Sequence, residues 1–234
     1  MRTIGLLGGM SWESSAHYYR LINEETRRRL GGTHSAASVM VSVDFAAIEA
    51  LQHAGDWDAL TARMIAAARQ AEGGEAQLLV ICTNTMHRMA DAVQAAITIP
   101  LLHIADPAGR AITEQGFTRV GLLGTAFTME QPFLRDRLQS RFGLEVITPE
   151  AEDRREVHRI IYDELVRGII TEPSRATYRA IMQRLADQGA EAIILGCTEI
   201  MLLVDQADST LPLFDTTTLH ALAAVDAALA EGGA

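Results

Sequence analysis

Cysteine is almost absent from this chain of 234 residues, which carries only Cys82 and Cys197. Two cysteines so far apart build no disulfide framework, and a reducing compartment is the expectation. Neither a CxxC pair nor a Cys/His metal pattern occurs, and the seven histidines show no ligand spacing. No metal site is therefore expected. Basic charge is also scarce. The formal net charge is −10, and the one basic run, Arg27-Arg28-Arg29, sits beside Glu24 and Glu25 on a predicted helix. That reads as a solvated face and excludes a nucleic-acid groove, which needs a basic surface. No apolar run approaches the roughly 18 residues of a membrane span. Met1-Arg2 leads straight into Thr3-Ile4-Gly5-Leu6-Leu7, which reads as a first strand and not as the core of a signal peptide. A cytoplasmic protein without membrane or nucleic-acid partners is expected. Phosphate-binding glycine patterns are missing too, because Gly5, Gly8 and Gly9 do not make GxGxxG.

What the chain does have is a repeat. Ile4-Gly5-Leu6-Leu7-Gly8-Gly9 returns as Val120-Gly121-Leu122-Leu123-Gly124-Thr125. Leu79-Val80-Ile81-Cys82-Thr83-Asn84-Thr85 returns as Ile193-Ile194-Leu195-Gly196-Cys197-Thr198-Glu199, and Ile99-Pro100-Leu101-Leu102 as Leu211-Pro212-Leu213-Phe214. The order and the spacing are preserved, which implies two similar halves. Short apolar runs alternate with longer amphipathic stretches, as in parallel α/β sheets covered on both faces. Strands are predicted at 3–7, 39–43, 77–81, 101–103, 119–123, 145–147, 192–195 and 213–214. Helices are predicted at 14–30, 58–72, 86–96, 107–115, 129–141, 152–166, 174–188 and 217–230. The fold class is thus α/β, with two pseudo-symmetric domains, each a parallel sheet flanked by helices. The first domain is expected to be discontinuous, residues 1–98 plus 210–234, around a second of residues 99–209. Ligands of open α/β sheets bind beyond the carboxyl ends of the strands, so the active site is expected in a cleft between the halves.

The polar segments fall at those strand ends. Thr83-Asn84-Thr85-Met86-His87 and Cys197-Thr198-Glu199 each follow a buried strand and open a helix, where hydroxyl and amide side chains beside free N–H groups suit a carboxylate. Simple helix capping is the plainer reading of the same residues. Cys197 stands where a helix N-terminus is expected to lower a thiol pKa below about 8.5. Cys82 is one residue out of register with it. Side chains alternate along a strand, so Thr83 matches Cys197, Cys82 matches Gly196, and Cys82 is expected to pack against a helix. Gly8-Gly9-Met10-Ser11 reads as a tight turn that brings backbone close to an anionic ligand, with Thr125 as its counterpart.

These residues resemble the cofactor-independent aspartate/glutamate racemase family, and the resemblance runs along the whole chain. It is carried by Gly5-Leu6-Leu7-Gly8-Gly9-Met10-Ser11, Thr83-Asn84-Thr85-Met86-His87 and Gly196-Cys197-Thr198-Glu199. In that family each half usually supplies a catalytic cysteine. Here the first position is Thr83, as in the L-aspartate/glutamate-specific or broad-specificity bacterial racemases with a Thr/Cys pair. The resemblance implies a homodimer without pyridoxal phosphate or another cofactor. It also implies that Cys197 handles the Cα proton of an L-amino acid while Thr83 protonates the opposite face. Met10, Asn84, Thr85, Thr198 and Glu199 would then surround the substrate's amino and carboxylate groups. The family's aspartate-specific members hold the side-chain carboxylate with two basic residues. Gln52, near a loop after Asp44-Phe45, would stand for one of these and Arg167 for the other, although Arg167 reads equally well as a solvated helix end.

A hydroxyl can quench a carbanion but abstracts a proton only as an alkoxide or through a relay, so Thr83 is a lopsided partner for a thiol. The expected activity is racemisation of L- and D-aspartate or glutamate. Two alternatives stay open within the superfamily: a broad-specificity racemase of neutral amino acids, or a single-cysteine carbanion enzyme resembling a decarboxylase. A third is a two-lobed binding module without catalysis.

Overall fold

The computed structural model describes residues 1–230. These residues form two compact units, 1–104 with 220–230, and 105–219.

In the first unit β1 (Ile4–Gly8), β2 (Ser38–Ser42), β3 (Leu78–Ile81) and β4 (Leu101–Leu102) form a parallel sheet in the order β2-β1-β3-β4. Every residue of β1 and β3 is buried, which is why their sequences are apolar without alternation. Leu7, Leu79 and Ile81 pack on one face against α3 (Trp57–Gly73), through Met64, Ala67, Ala68 and Ala71. Ile4, Leu6, Leu78 and Val80 pack on the other against Tyr18 and Ile22 of α1 (Trp12–Leu30) and Ala221, Ala224 and Val225 of the last helix. The remaining helices of this unit are α2 (Phe45–Ala54) and α4 (Ala90–Ala95). Ser11 caps α1 by accepting from the Ser14 N–H, and the basic run at its other end pairs back onto Glu25, which bonds both Arg28 and Arg29.

The second unit repeats the plan. Its strands β5 (Arg119–Gly124), β6 (Glu145–Ile147), β7 (Ala192–Gly196) and β8 (Leu213–Asp215) are parallel in the order β6-β5-β7-β8. Its helices are α5 (Ala105–Glu114), α6 (Ala126–Glu130), α7 (Pro132–Phe142), α8 (Ala151–Asp163), α9 (Glu172–Asp187) and α10 (Ile200–Leu203). The last helix, α11 (Thr216–Leu229), begins in this unit and carries the chain back to the first. Leu123, Ile193 and Leu195 pack on α8 and α9 through Val157, Ile160, Tyr178, Ile181 and Leu185.

The eight expected strands are present, but several boundaries differ. The chain leaves the first unit after Ile104 and returns after Leu219, not after residues 98 and 209, because β4 pairs with β3 and β8 with β7. The segment expected as loop after Asp44-Phe45 is α2, capped by Asp44 at one end and by left-handed Gly55 at the other, so Gln52 is helical. The helix expected over 129–141 breaks at Gln131, which Pro132 forces into an extended conformation. The helix expected over 86–96 is a 3-10 turn, Thr85–Met89, followed by α4.

Candidate active site

Alternation along the strands sets out the two central residues. In the first unit Thr83 holds the register position that follows Leu79 and Ile81. In the second Cys197 holds the equivalent one after Ile193 and Leu195, and its side chain joins their cluster. Cys82 falls on the opposite face, fully buried among Tyr18, Ile22 and Ala221, and burial pushes its thiol pKa far up. It packs against α1 and α11, as the register expects of it.

The nine expected site residues divide between the units. Met10, Gln52, Thr83, Asn84 and Thr85 lie in the first, Arg167, Cys197, Thr198 and Glu199 in the second. In the first unit the ends of β1 and β3 leave the sheet side by side, joined by the Cys82 N–H donating to the Leu7 carbonyl at 2.9 Å. Gly9 turns sharply there at φ +88°, and a Cβ would stand 2.1 Å from the Val43 carbonyl oxygen. Its N–H donates to the Ser15 hydroxyl at 2.8 Å. The glycine therefore lets two backbone segments meet, and its own N–H is taken by Ser15. Thr125, its counterpart, caps α6 by accepting from the Thr128 N–H. The Met10 side chain is buried in the apolar cluster with Ile48 and Met86, which leaves its backbone as the part a ligand could meet. Gln52 is buried on α2, Asn84 and Thr85 are buried at the entry to the 3-10 turn, and Thr83 is half-buried. Asn84 makes no side-chain cap on that turn, and Glu199 makes none on α10, so capping does not account for either residue.

In the second unit the thiol and a carboxylate meet. Cys197 is 8% exposed and Glu199 2%. The Cys197 Sγ–H donates to Glu199 Oε2 at 3.0 Å, and the Thr198 hydroxyl donates to the same oxygen at 2.8 Å. Burial raises the Cys197 pKa well above its ordinary value, and the Glu199 carboxylate raises it further by repulsion and by accepting the thiol proton. The N–H groups of Thr198 and Glu199 pull the other way, but they do not prevail. The expectation of a thiol acidified by a helix N-terminus is thus overturned: α10 is only four residues long, and the carboxylate is nearer. At rest Cys197 is a thiol with a built-in acceptor for its proton. Gly196 makes room here, since a Cβ on it would stand 2.9 Å from the Leu123 carbonyl oxygen. Arg167 is exposed and ends the 3-10 turn Leu165–Arg167, which packs against α10.

Sequence reasoning placed Glu199 at the site but missed its contact with the thiol, which depends on how the chain turns after β7. It also left His87 without a role. That ring is fully buried beneath the Thr83 turn, with Nδ1 2.8 Å from the Thr83 carbonyl oxygen and Nε2 accepting from the Ile104 N–H at 3.1 Å. A carbonyl only accepts and a backbone N–H only donates, so the proton sits on Nδ1. With both ring nitrogens engaged, His87 is no base for the Thr83 hydroxyl. Among the described residues no group of three or more His, Cys, Asp or Glu is arranged to hold a metal ion, and no helix is long and apolar enough to cross a membrane.

Comparison with known proteins agrees with this architecture. Residues 7–224 match the Asp/Glu/Hydantoin racemase family. A Yersinia pestis structure described as a candidate Asp/Glu racemase is 52% identical, with a TM-score of 0.91 over 98% of this chain and 100% of that one. A Pyrococcus horikoshii aspartate racemase homologue is 32% identical, with a TM-score of 0.84 over 97% and 99%. A broad-specificity amino-acid racemase of Bacillus subtilis is 23% identical over 97% of this chain and 98% of its own. With two equivalent parallel α/β units and these relatives, the chain belongs to the Asp/Glu/Hydantoin racemase family and is a racemase.

Proposed function

We propose that the enzyme interconverts the L- and D-forms of free aspartate or glutamate without pyridoxal phosphate. Cys197 takes the Cα proton on one face, and Thr83 delivers a proton to the other. The observation that carries this reading is the buried Cys197–Glu199 hydrogen bond. A buried thiol becomes a base only if its proton has somewhere to go, and Glu199 Oε2 receives it without passage through water. The thiolate then removes the Cα proton, and the Thr83 hydroxyl gives its own proton to the carbanion. Thr83 recovers its proton from solvent, for which its partial exposure suffices, and Glu199 releases the proton it took from Cys197 as product leaves, which resets the pair. Reaction from the D-isomer requires Thr83 to act as the base, the harder direction for a hydroxyl. Enantiomers have equal free energy, so kcat/KM is the same both ways and the asymmetry falls on kcat and KM separately.

Side-chain choice has a second reading, a broader racemase that accepts uncharged amino acids. Gln52 favours it, since a buried amide bonds a carboxylate or an amide without demanding charge. The Bacillus subtilis relative bears a broad-specificity name. Arg167, exposed on the other unit, favours the acidic substrates. The test is proton NMR in D2O of the enzyme with L-aspartate, L-glutamate and L-glutamine, with chiral analysis of the same samples and no added cofactor. Deuterium at Cα together with D-aspartate or D-glutamate supports the proposal. Turnover of glutamine alone selects the broader reading, and no exchange with any of them overturns both.

A further inference from the structure

The Thr83 turn is tied to a buried histidine network that no step of the reaction uses. His87 donates from Nδ1 to the Thr83 carbonyl and accepts at Nε2 from Ile104, the last residue before the chain crosses to the second unit. His220, the first residue after the return, is 2.9 Å from the Leu102 carbonyl oxygen through Nε2 and 3.0 Å from the Tyr18 hydroxyl through Nδ1. The carbonyl fixes the proton on Nε2, so Tyr18 donates. The His87 and His220 rings meet edge to face with centroids 5.6 Å apart, and the His103 ring lies 4.6 Å from His87. The segment that carries β4 into the crossing is thus gripped by His87 at Ile104 and by His220 at Leu102.

A network of this kind is costly to bury unless each member is satisfied, and both ring nitrogens of His87 and of His220 are. It meets the candidate site at the Thr83 carbonyl. The Asn84 side chain does not cap the 3-10 turn that follows Thr83. His87 ties the Thr83 backbone to Ile104. We infer that His87 is a positioning residue for Thr83, fixing the height of the Thr83 hydroxyl by tethering its backbone to the end of β4. This rests on Thr83 being the second-face proton donor. Burial and the neighbouring His103 and His220 rings hold the His87 pKa well below its ordinary value, so the ring stays neutral and its Nε2 stays an acceptor.

The tether separates two readouts. Cα exchange from the L-isomer depends on Cys197, whereas inversion also needs Thr83. In His87→Ala the inversion rate is expected to fall about 100-fold while L-exchange stays within about threefold, the scale of a misplacement near 1 Å. His87→Gln, whose amide can both donate and accept, is expected to recover most of the inversion. Equal loss of exchange and inversion in a folded His87→Ala enzyme, unchanged inversion, or no recovery in a folded His87→Gln enzyme would each overturn the inference. Should His87→Ala not fold, nitrogen-15 NMR of the wild-type enzyme decides. A ring protonated on Nδ1 alone at neutral pH and still so near pH 5 supports the tether, and a ring that titrates in the ordinary range refutes it. Absence of any L-exchange in the wild-type enzyme would instead sink the racemase proposal itself.

Discussion

Replacing Glu199 by glutamine separates two effects of one carboxylate. Glutamine matches glutamate in size, so the packing after β7 is kept and the Thr198 hydroxyl can still donate to the amide oxygen. The group that receives the Cys197 proton is gone. General-base assistance is worth about 10²- to 10⁴-fold, so Cα exchange near neutral pH is expected to fall by that range. At about 1.36 kcal/mol per decade this is roughly 3–5 kcal/mol of barrier. The thiol moves the opposite way. Burial still raises its pKa, but repulsion by the Glu199 charge no longer adds to that rise. The midpoint of iodoacetamide alkylation at Cys197 is therefore expected at lower pH in Glu199→Gln than in the parent. The variant holds more thiolate at a given alkaline pH yet exchanges more slowly at neutral pH, and its deficit shrinks as pH rises. Deuterium exchange and alkylation, each followed against pH, read the two effects independently. Unchanged neutral exchange, or an alkylation midpoint that rises or stays put, refutes the reasoning.

Three further expectations concern the frame. Cys82→Ala leaves racemisation intact and costs about 1–2 kcal/mol in urea unfolding, because it empties a small volume between β3 and α1; loss of activity in a folded variant would return Cys82 to the chemistry. Gly9→Ala is expected to cost more than about 3 kcal/mol, since it combines φ +88° with a Cβ 2.1 Å from the Val43 oxygen, and a cost below about 1 kcal/mol would show that this turn relaxes freely. The Glu25 pKa is lowered from 4.5 to about 2, first by its hydrogen bond to Arg28. Its stabilising charge is fully present above 4.5 and lost as pH falls through about 2, so Glu25→Gln should flatten the decline of stability across that interval, and an unchanged slope in urea titrations would contradict the pairing.

Much of the fold is legible because buried parallel strands are written as short apolar runs, and that pattern locates all eight. The repeat carried the topology further, since Thr83 aligned with Cys197 and excluded Cys82 by register, as the core packing bears out. What escaped was finer. α2 is marked at both ends by Asp44 and Gly55, but only Ile48 and Gln52 of it are buried, and two residues make a weak helical period. Pro132 breaks a stretch that the apolar period alone extends into one longer helix. At the site, the residue types were readable and their mutual geometry was not. A helix N-terminus after Cys197 suggested an acidified thiol, whereas the short α10, the burial and the Glu199 oxygen at 3.0 Å reverse the direction. His87 looked like one polar residue in a motif, and its partners Thr83, Ile104 and the His220 ring emerge only when β4 and α11 close over β3.

The claim that one thiol and one hydroxyl serve opposite faces of the same carbon is tested most directly in Thr83→Val, which removes the hydroxyl and nearly preserves shape. Deuterium entry at Cα is measured from each enantiomer of aspartate and of glutamate in D2O, with chiral analysis throughout. The account expects the L-isomer to gain deuterium with retained configuration, the D-isomer to gain none, and inversion to stop in both directions. Inversion that continues at the parent rate, or exchange lost equally from both enantiomers in a folded enzyme, would contradict it.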